Sequence, residues 1–345
     1  MSLKILIVRL SAIGDVVHTL PSLNALRITF PDARIDWLVE ETSAPLLKGH
    51  PQLDSLFVFQ KNWRKHFARH LFSQIISFFK KLRSQRYDWA IDFQGLTKSG
   101  LAAYASGARR VIGFGDKDGR ELNKLFTNVK VRPPANLHVI ERNLSLLAPL
   151  GIENPPVKFI LPRFNVEIKE WNDPKPFVAI NPGAGWLTKQ LPLTTLAELG
   201  SRLYREKNLR IVITWGPGER GLAHKLQQLI AQRHGEAILA PPTDLPQLCT
   251  LISSARLFIG GDTGPTHLAA ALGVPVLSYF GASDARRNRP YSPSAITIQK
   301  THIHCVPCWK TRCRYKDKRR LVCLKSISAA ELYTGAEKLL QSQQC

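Results

Sequence analysis

The sequence predicts an α/β protein built as two doubly wound, parallel-sheet halves. Three observations lead there. Short apolar runs rich in β-branched residues alternate with amphipathic helical stretches along the whole chain, the pattern of strands paired in parallel through helical crossovers. A length of 345 residues exceeds one ordinary core and suits two domains of about 150–170 residues each. The alternation is interrupted once, at the polar, proline-bearing stretch Leu161–Pro176, which reads as a linker.

In the first half, Ile5–Val8, Ile35–Val39, Leu56–Phe59, Trp89–Phe93 and Arg110–Gly113 read as strands. In the second, Phe177–Asn181, Arg210–Thr214, Ala237–Leu239, Leu257–Ile259, Val274–Tyr279 and Ala295–Ile298 repeat the style. The expected division is residues 1–165, residues 166–326, and a C-terminal helix over 327–345 that can pack back on the first domain. Two such halves are expected to face a cleft at the carboxyl ends of their sheets, where doubly wound folds bind ligands.

An apolar share of 44% marks an ordinary globular chain, and no apolar run of about 18 residues suits a membrane span. Residues Met1–Arg9 contain a short apolar run, but Arg9 interrupts it and no small-residue cleavage site follows. This reads as a first strand, and the protein is expected to be cytoplasmic. A formal charge of +22 points to an anionic partner. No helix-turn-helix, zinc finger or aromatic-studded RNA-binding sheet is present, so nucleic acid is set aside in favour of a membrane surface or a polyanionic small molecule. The stretch from Trp63 to Trp89 adds a basic, aromatic amphipathic helix, with Leu71, Phe72, Ile75, Ile76, Phe78, Phe79 and Leu82 on one side. Such a helix either buries its stripe on its own sheet or lies on anionic headgroups, and a packed helix with a cationic rim does both.

The loop Gly260-Gly261-Asp262-Thr263-Gly264-Pro265-Thr266-His267 follows an apolar strand and opens a helix that ends near Gly273. A Gly-rich turn into a helix start aims backbone N–H groups and the positive end of the helix dipole at an anion, for which phosphate or diphosphate is the natural occupant. Thr263 and Thr266 can add hydroxyl donors. A second small-residue loop, Asn181-Pro182-Gly183-Ala184-Gly185-Trp186, leads to Lys189, a mobile point charge suited to phosphate. A third, Trp215-Gly216-Pro217-Gly218-Glu219, offers a carboxylate for a ribose diol. Each loop is weak alone; three on one sheet edge make a nucleotide-diphosphate site. In the first half, Leu10-Ser11-Ala12-Ile13-Gly14-Asp15-Val16-Val17-His18-Thr19-Leu20-Pro21 follows the first strand. Asp15 there suits a general base toward a substrate hydroxyl, or simply a helix N-terminal charge.

Together with Asp92-Phe93-Gln94-Gly95-Leu96-Thr97-Lys98-Ser99, these motifs make the chain resemble the lipopolysaccharide heptosyltransferases, glycosyltransferases of family 9 with a two-domain GT-B fold of Rossmann-like halves. The resemblance runs over nearly the whole chain in order. Trp63-Arg64-Lys65, Gly119-Arg120-Glu121 and His138-Val139-Ile140-Glu141-Arg142 are most like the heptosyltransferase I type. The resemblance implies an inverting transfer of heptose from ADP-L-glycero-β-D-manno-heptose to Kdo of a Kdo-bearing lipid A, at the cytoplasmic face of the inner membrane. It implies that Asp15 is the catalytic base and that Lys189, Thr263 and Gly264 stabilise the departing ADP. Asp262 and His267 then shape the loop, and Glu219 holds the adenosine ribose. Arg64 and Arg120 fall on the acceptor side, with Lys98 a further candidate. Neither a cofactor nor an obligatory metal is expected. Related readings are a second or third heptosyltransferase with a heptosylated acceptor, and a non-catalytic nucleotide-sugar or polyanion binder.

Cys305, Cys308, Cys313 and Cys323 stand at C-x2-C-x4-C-x9-C spacing inside a strongly basic segment. Four close thiols can bind zinc or an iron–sulfur cluster, but the spacing is not that of a common zinc ribbon. His302 and His304 offer alternative ligands. Reduced thiols or a disulfide staple are the preferred expectation.

Overall fold

Twelve strands in two six-stranded sheets organise the described chain, a computed structural model that describes residues 2–60, 69–115, 119–171 and 175–342. It divides into two compact units, Met1–Arg163 and Phe164–Cys345.

The first unit contains β1 (Lys4–Val8), β2 (Arg34–Glu40), β3 (Ser55–Phe59), β4 (Trp89–Asp92), β5 (Arg110–Phe114) and β6 (Val129–Val131). Its helices are α1 (Ile13–Val17), α2 (Leu20–Thr29), α3 (Arg69–Arg83), α4 (Thr97–Ala105) and α5 (Val139–Leu144). The sheet order is β3-β2-β1-β4-β5-β6, every neighbouring pair parallel. The central strand β1 reads Lys-Ile-Leu-Ile-Val because it is buried on both of its faces, so alternation gives way to a continuous apolar run. Leu6, Val8, Leu38, Phe57, Tyr87 and Val111 form one core cluster.

Helix α3 settles half of the amphipathic-helix expectation. Leu82 is buried, and Phe78 and Phe79 pack on the same core, with Phe78 edge-on to Phe57 and Phe59. Lys80, Lys81 and Arg83 are exposed. The C-terminal part of the stripe is therefore a core contact, with Ile76 exposed and a cationic rim outside it.

The second unit contains β7 (Phe177–Asn181), β8 (Arg210–Ile213), β9 (Ala237–Leu239), β10 (Leu257–Gly261), β11 (Val276–Phe280) and β12 (Ala295–Gln299). Its helices are α6 (Leu193–Lys207), α7 (Arg220–Ala231), α8 (Leu245–Ser253), α9 (Gly264–Ala271), α10 (Ala285–Asn288), α11 (Val322–Lys325) and α12 (Ala329–Gln341). The order β12-β11-β10-β7-β8-β9 repeats that of the first sheet when the strands of each unit are counted from its own start. In both sheets the strand order reverses beside the unit's first strand, between β1 and β4 and between β7 and β10. Loops at the carboxyl ends of those strands border the crevice where open α/β sheets take ligands.

Two readings of the sequence need correcting. The helix expected over 327–345 is, over its described residues up to 342, part of the second unit rather than a segment apart. Helix α12 starts at a capping box in which Glu331 N donates to Ser328 Oγ (3.2 Å) and Ser328 N to Glu331 Oε2 (2.9 Å). It then buries Leu332, Tyr333, Ala336 and Leu339 in the core of the second unit, against α6 and the β10–β12 strands. The proline-bearing stretch is also not all linker. Ile168 is buried, Trp171 packs edge-on to Phe177, and Val166 N donates to Thr250 Oγ1, so its middle belongs to the second unit. Strand β6 has no counterpart in the sequence reading, because Val129-Lys130-Val131 is too short for a period to register.

Candidate functional site

At the carboxyl edge of the first sheet, Asp15 occupies the first turn of α1, directly after β1. Its Oδ1 lies 2.7 Å from Nη2 of Arg9, and its Oδ2 accepts from Ala12 N at 3.1 Å. The Arg9 side chain is 9% exposed and that of Asp15 43%. Arg9 Nη1 also donates to the carbonyl of Phe93, after β4, so one guanidinium fork joins two neighbouring loops to the carboxylate. Gln94 Oε1 accepts from Leu10 N at 2.9 Å, a second tie between the same loops.

The loop after β4 is built around Asp92, which is fully buried. It accepts from Gln94 N (2.9 Å), Gly95 N (3.2 Å), Ser99 Oγ (2.9 Å) and Asn123 Nδ2 (2.6 Å). Burial pushes its carboxyl above the ordinary range, and these four donors oppose the shift without cancelling it. Lys98, on α4, pairs with Glu40 at the end of β2 (2.9 Å). Arg120 is exposed, and its backbone N–H donates to Gly95 O at 2.9 Å. Asp15, Lys98 and Arg120 are thus collected at one sheet edge, after β1, β4 and β5. Arg64 lies outside the described residues.

In the second unit, Asp262 follows β10 and is 6% exposed. Lys189 Nζ stands 2.7 Å from its Oδ2 and donates to its backbone carbonyl at 3.1 Å, while His267 Nε2 lies 3.0 Å from Oδ1. Burial alone raises the carboxyl's pKa. The His267 contact and the charges of His267 and Lys189 overcome it and hold the group well below the usual carboxylate range. Asp262 and His267 are therefore the buried frame of the loop, and Lys189, lying 4.6 Å over the Trp186 ring, is its more exposed cation.

Thr263 and Gly264 open α9 and are partly exposed. Thr266 Oγ1 donates to Gly261 O (2.6 Å) and meets Thr263 Oγ1 (3.1 Å), which draws the turn tight. A Cβ on Gly261 would come 2.6 Å from the Lys189 carbonyl, so only glycine lets the β7 and β10 loops approach this closely. Glu219 lies on the β8 loop, where its Oε2 accepts from Gly216 N at 3.0 Å; a Cβ on Gly183 would collide with its carboxylate. The three expected loops are thus neighbours in pairs, the β7 loop touching both others. Beside Trp186, a cleft of about 900 Å³ is walled by Gly185, Leu187, Arg312, Tyr315, Lys316 and Arg320.

This half can hold a diphosphate. A lysine, the first turn of a helix and small residues meet at a sheet's switch point, and the cation is fixed by a buried carboxylate. The first half presents a half-exposed carboxylate oriented by a buried arginine. Reasoning from sequence missed Arg9, Asp92, Gln94 and Trp186. A charged residue ending an apolar strand was the available signal for Arg9, and a carboxylate ending one for Asp92. Gln94 and Trp186 stood inside quoted motifs, but nothing in the sequence pattern gave either a role of its own.

Comparison with known proteins places the chain in a family and a fold. The model of glycosyltransferase family 9 (heptosyltransferase) matches residues 75–319. Lipopolysaccharide heptosyltransferase 1 of Pseudomonas aeruginosa is 30% identical over 332 residues, covering 94% of this chain and 92% of the relative. Lipopolysaccharide heptosyltransferase 3 of Escherichia coli K12 is 28% identical over 338 residues, 95% of each chain. The structure of E. coli heptosyltransferase WaaC with ADP superposes with a TM-score of 0.78 at 23% identity, over 98% of this chain and 100% of that one, and shares its α/β fold. The loops described above thus belong to an enzyme that transfers sugar: the chain is a member of glycosyltransferase family 9, the heptosyltransferases.

Proposed function

We propose that the protein transfers L-glycero-D-manno-heptose from ADP-heptose onto Kdo of the lipopolysaccharide inner core, with inversion at the anomeric carbon. The observation that carries the reading is Lys189, bridging the side chain and carbonyl of Asp262 beside the open first turn of α9. As the glycosidic bond to the leaving diphosphate breaks, negative charge grows on the ADP oxygens. A fixed cation and backbone donors stabilise that charge more in the transition state than in the ground state. Thr263 and Gly264 line the same turn, and Glu219 is assigned to the adenosine ribose.

In this reading Asp15 takes the proton from the attacking Kdo hydroxyl, and Arg9 is a positioning residue that holds one carboxylate oxygen so that the group meets the acceptor in one orientation. Lys98 and Arg120 are assigned to acceptor carboxylates or phosphates. A relative whose structure was solved with ADP-2-deoxy-2-fluoro heptose supports the donor assignment. We place the work at the cytoplasmic face of the inner membrane, as a peripheral protein. In support, no helix among the described residues is long and apolar enough to cross a bilayer, and a charge of +22 with exposed Lys80, Lys81 and Arg83 favours anionic headgroups.

A second reading, with a heptosylated acceptor, is favoured by the comparable identity to a heptosyltransferase 3. Mass spectrometry of products from ADP-heptose with either Kdo2-lipid A or a heptosylated core separates the two. Addition of one heptose to the first acceptor is the expected outcome. Product from the heptosylated core alone transfers the assignment to the second reading, and no product from either rejects both.

A further inference from the structure

The basic segment between β12 and α11 takes no part in the chemistry above, yet it forms much of the wall of the cleft beside Trp186. Its cysteines Cys305, Cys308 and Cys313, and Cys323 on α11, are free thiols, and no metal-holding group of His, Cys, Asp or Glu stands among the described residues. From Lys310 to Arg320, seven side chains are cationic and one, Asp317, is acidic. Arg319 pairs with that acid at 2.6 Å, and Arg319 and Arg314 lie 4.6 and 4.9 Å over the Tyr315 ring. His304 Nε2 lies 2.8 Å from the Tyr315 hydroxyl, so this aromatic wall is fixed in place. Arg312, Lys316 and Arg320 differ. They border the cleft, they are exposed, and none is ion-paired among the described residues. No Asp or Glu lines the opening.

We propose that this cleft binds a phosphate monoester carried by the sugar acceptor, with Arg312, Lys316 and Arg320 as its cations. The proposal rests on the transferase reading above. A monoester carries about 1.5–2 negative charges near neutrality and offers three acceptor oxygens. A guanidinium fork meets two oxygens at once, and a lysine adds a movable point charge. Cations crowded around one opening repel one another, and a dianion seated among them relieves that repulsion more fully than a lone carboxylate does. The volume of about 900 Å³ suits a sugar ring with its phosphate rather than the phosphate alone. Trp186 and Tyr315 give that ring apolar surface to lie against.

The donor diphosphate is a different anion with its own assignment, to Lys189 and the first turn of α9. Lys189 is held 2.7 Å from Asp262. The two places meet at Trp186, whose ring borders the cleft while Lys189 lies 4.6 Å over it. The basic segment is seated on the same region: Thr188 Oγ1 donates to Lys310 O (2.6 Å) and Trp309 N to Ala282 O (2.9 Å). A phosphate in the cleft thus draws the acceptor alongside the donor loops without filling them, and the enzyme prefers a phosphorylated acceptor.

The test uses the full chain saturated with ADP, so that the donor loops are filled, and titrates it with glucose 6-phosphate and with glucose by calorimetry. Glucose 6-phosphate should bind and glucose should not. Changing Arg312, Lys316 and Arg320 together to Ala should weaken the phosphate probe by about 10–100-fold, with ADP affinity within about twofold of the parent. If that variant does not fold, Arg312→Gln and Lys316→Gln singly should each weaken the probe by about threefold or more. With ADP-heptose as donor, the triple change should raise KM for Kdo2-lipid A, and the difference should vanish once the acceptor's phosphate monoesters are removed. Failure of glucose 6-phosphate to bind, or binding that survives the substitutions, overturns the proposal. So does a KM difference that persists on the dephosphorylated acceptor, or a parallel loss of ADP affinity, which would give the cleft to the donor. No transfer to any acceptor, with probe binding intact and lost in the variant, rejects the transferase reading and leaves the phosphate site standing.

Discussion

Arg9, buried at the end of β1, and Asp15, half-open in the first turn of α1, are joined at 2.7 Å, and the same guanidinium reaches the carbonyl of Phe93. The acidic group is therefore held by a fork that also fixes its neighbouring loop. If Asp15 is the base, Asp15→Asn should lower kcat by roughly 10²–10⁴-fold while calorimetry finds ADP affinity unchanged. Arg9→Lys keeps the charge but loses the fork, so kcat should fall with KM for ADP-heptose unaltered. Full turnover in Asp15→Asn would remove the base from this position.

Lys189 is the cation assigned to the departing diphosphate. Replacing it by Met removes a charge-assisted contact of about 1.5–3 kcal/mol, equivalent to a loss of about 10–150-fold in ADP affinity, measured by calorimetry. The substitution also strands the buried Asp262, so the melting temperature should drop. Lys189→Arg, which keeps the ion pair's charge, separates the two effects: it should recover stability more fully than affinity.

Asp262 sets a pH dependence of stability. Its carboxyl is held below its unfolded value of about 4, so its stabilising contribution is complete above that pH and is lost as the solution is acidified through the lower folded value. Asp262→Asn should cost about 3–5 kcal/mol near neutrality, the cost of breaking a buried pair. The difference between the two proteins should shrink steadily as pH is lowered from about 5 to about 2. Urea unfolding across that range checks it; a difference independent of pH would mean that the carboxyl's charge is not what stabilises the loop.

Two glycines should respond in opposite senses. At Gly261 an added methyl meets the Lys189 carbonyl at 2.6 Å and the Tyr279 ring at 3.1 Å, and backbone cannot retract as a side chain does. Gly261→Ala should cost about 1–3 kcal/mol and weaken ADP binding by displacing Lys189. At Gly221, inside α7, nothing lies within 4 Å of the new atom, and Gly221→Ala should stabilise by about 0.5–1 kcal/mol. Thermal unfolding of both variants is sufficient.

Much of this arrangement could be read from residues alone. Eleven of the twelve strands described announce themselves because each is a short apolar run between punctuating residues, and in the central strands burial on both faces makes such runs continuous. The Gly-rich loops proposed for the donor were legible as turns for a similar reason: Gly261, Asp262 and Thr263 sit where a strand becomes a helix, and that local geometry is encoded locally. Arg9 and Gln94 were not, because their roles depend on which strands become neighbours, and pairing of β1 with β4 bridges residues far apart in sequence. The destination of the last helix was hidden likewise, since an apolar stripe does not say which sheet it covers.

The repeated strand order carries a consequence for engineering. Every ladder among the described residues closes within its own unit, so a chain cut between Arg163 and Phe164 severs none of these strand pairings. Hybrids that graft a relative's front half onto this rear half inherit two intact sheets. Such hybrids offer a way to learn which half chooses the recipient sugar.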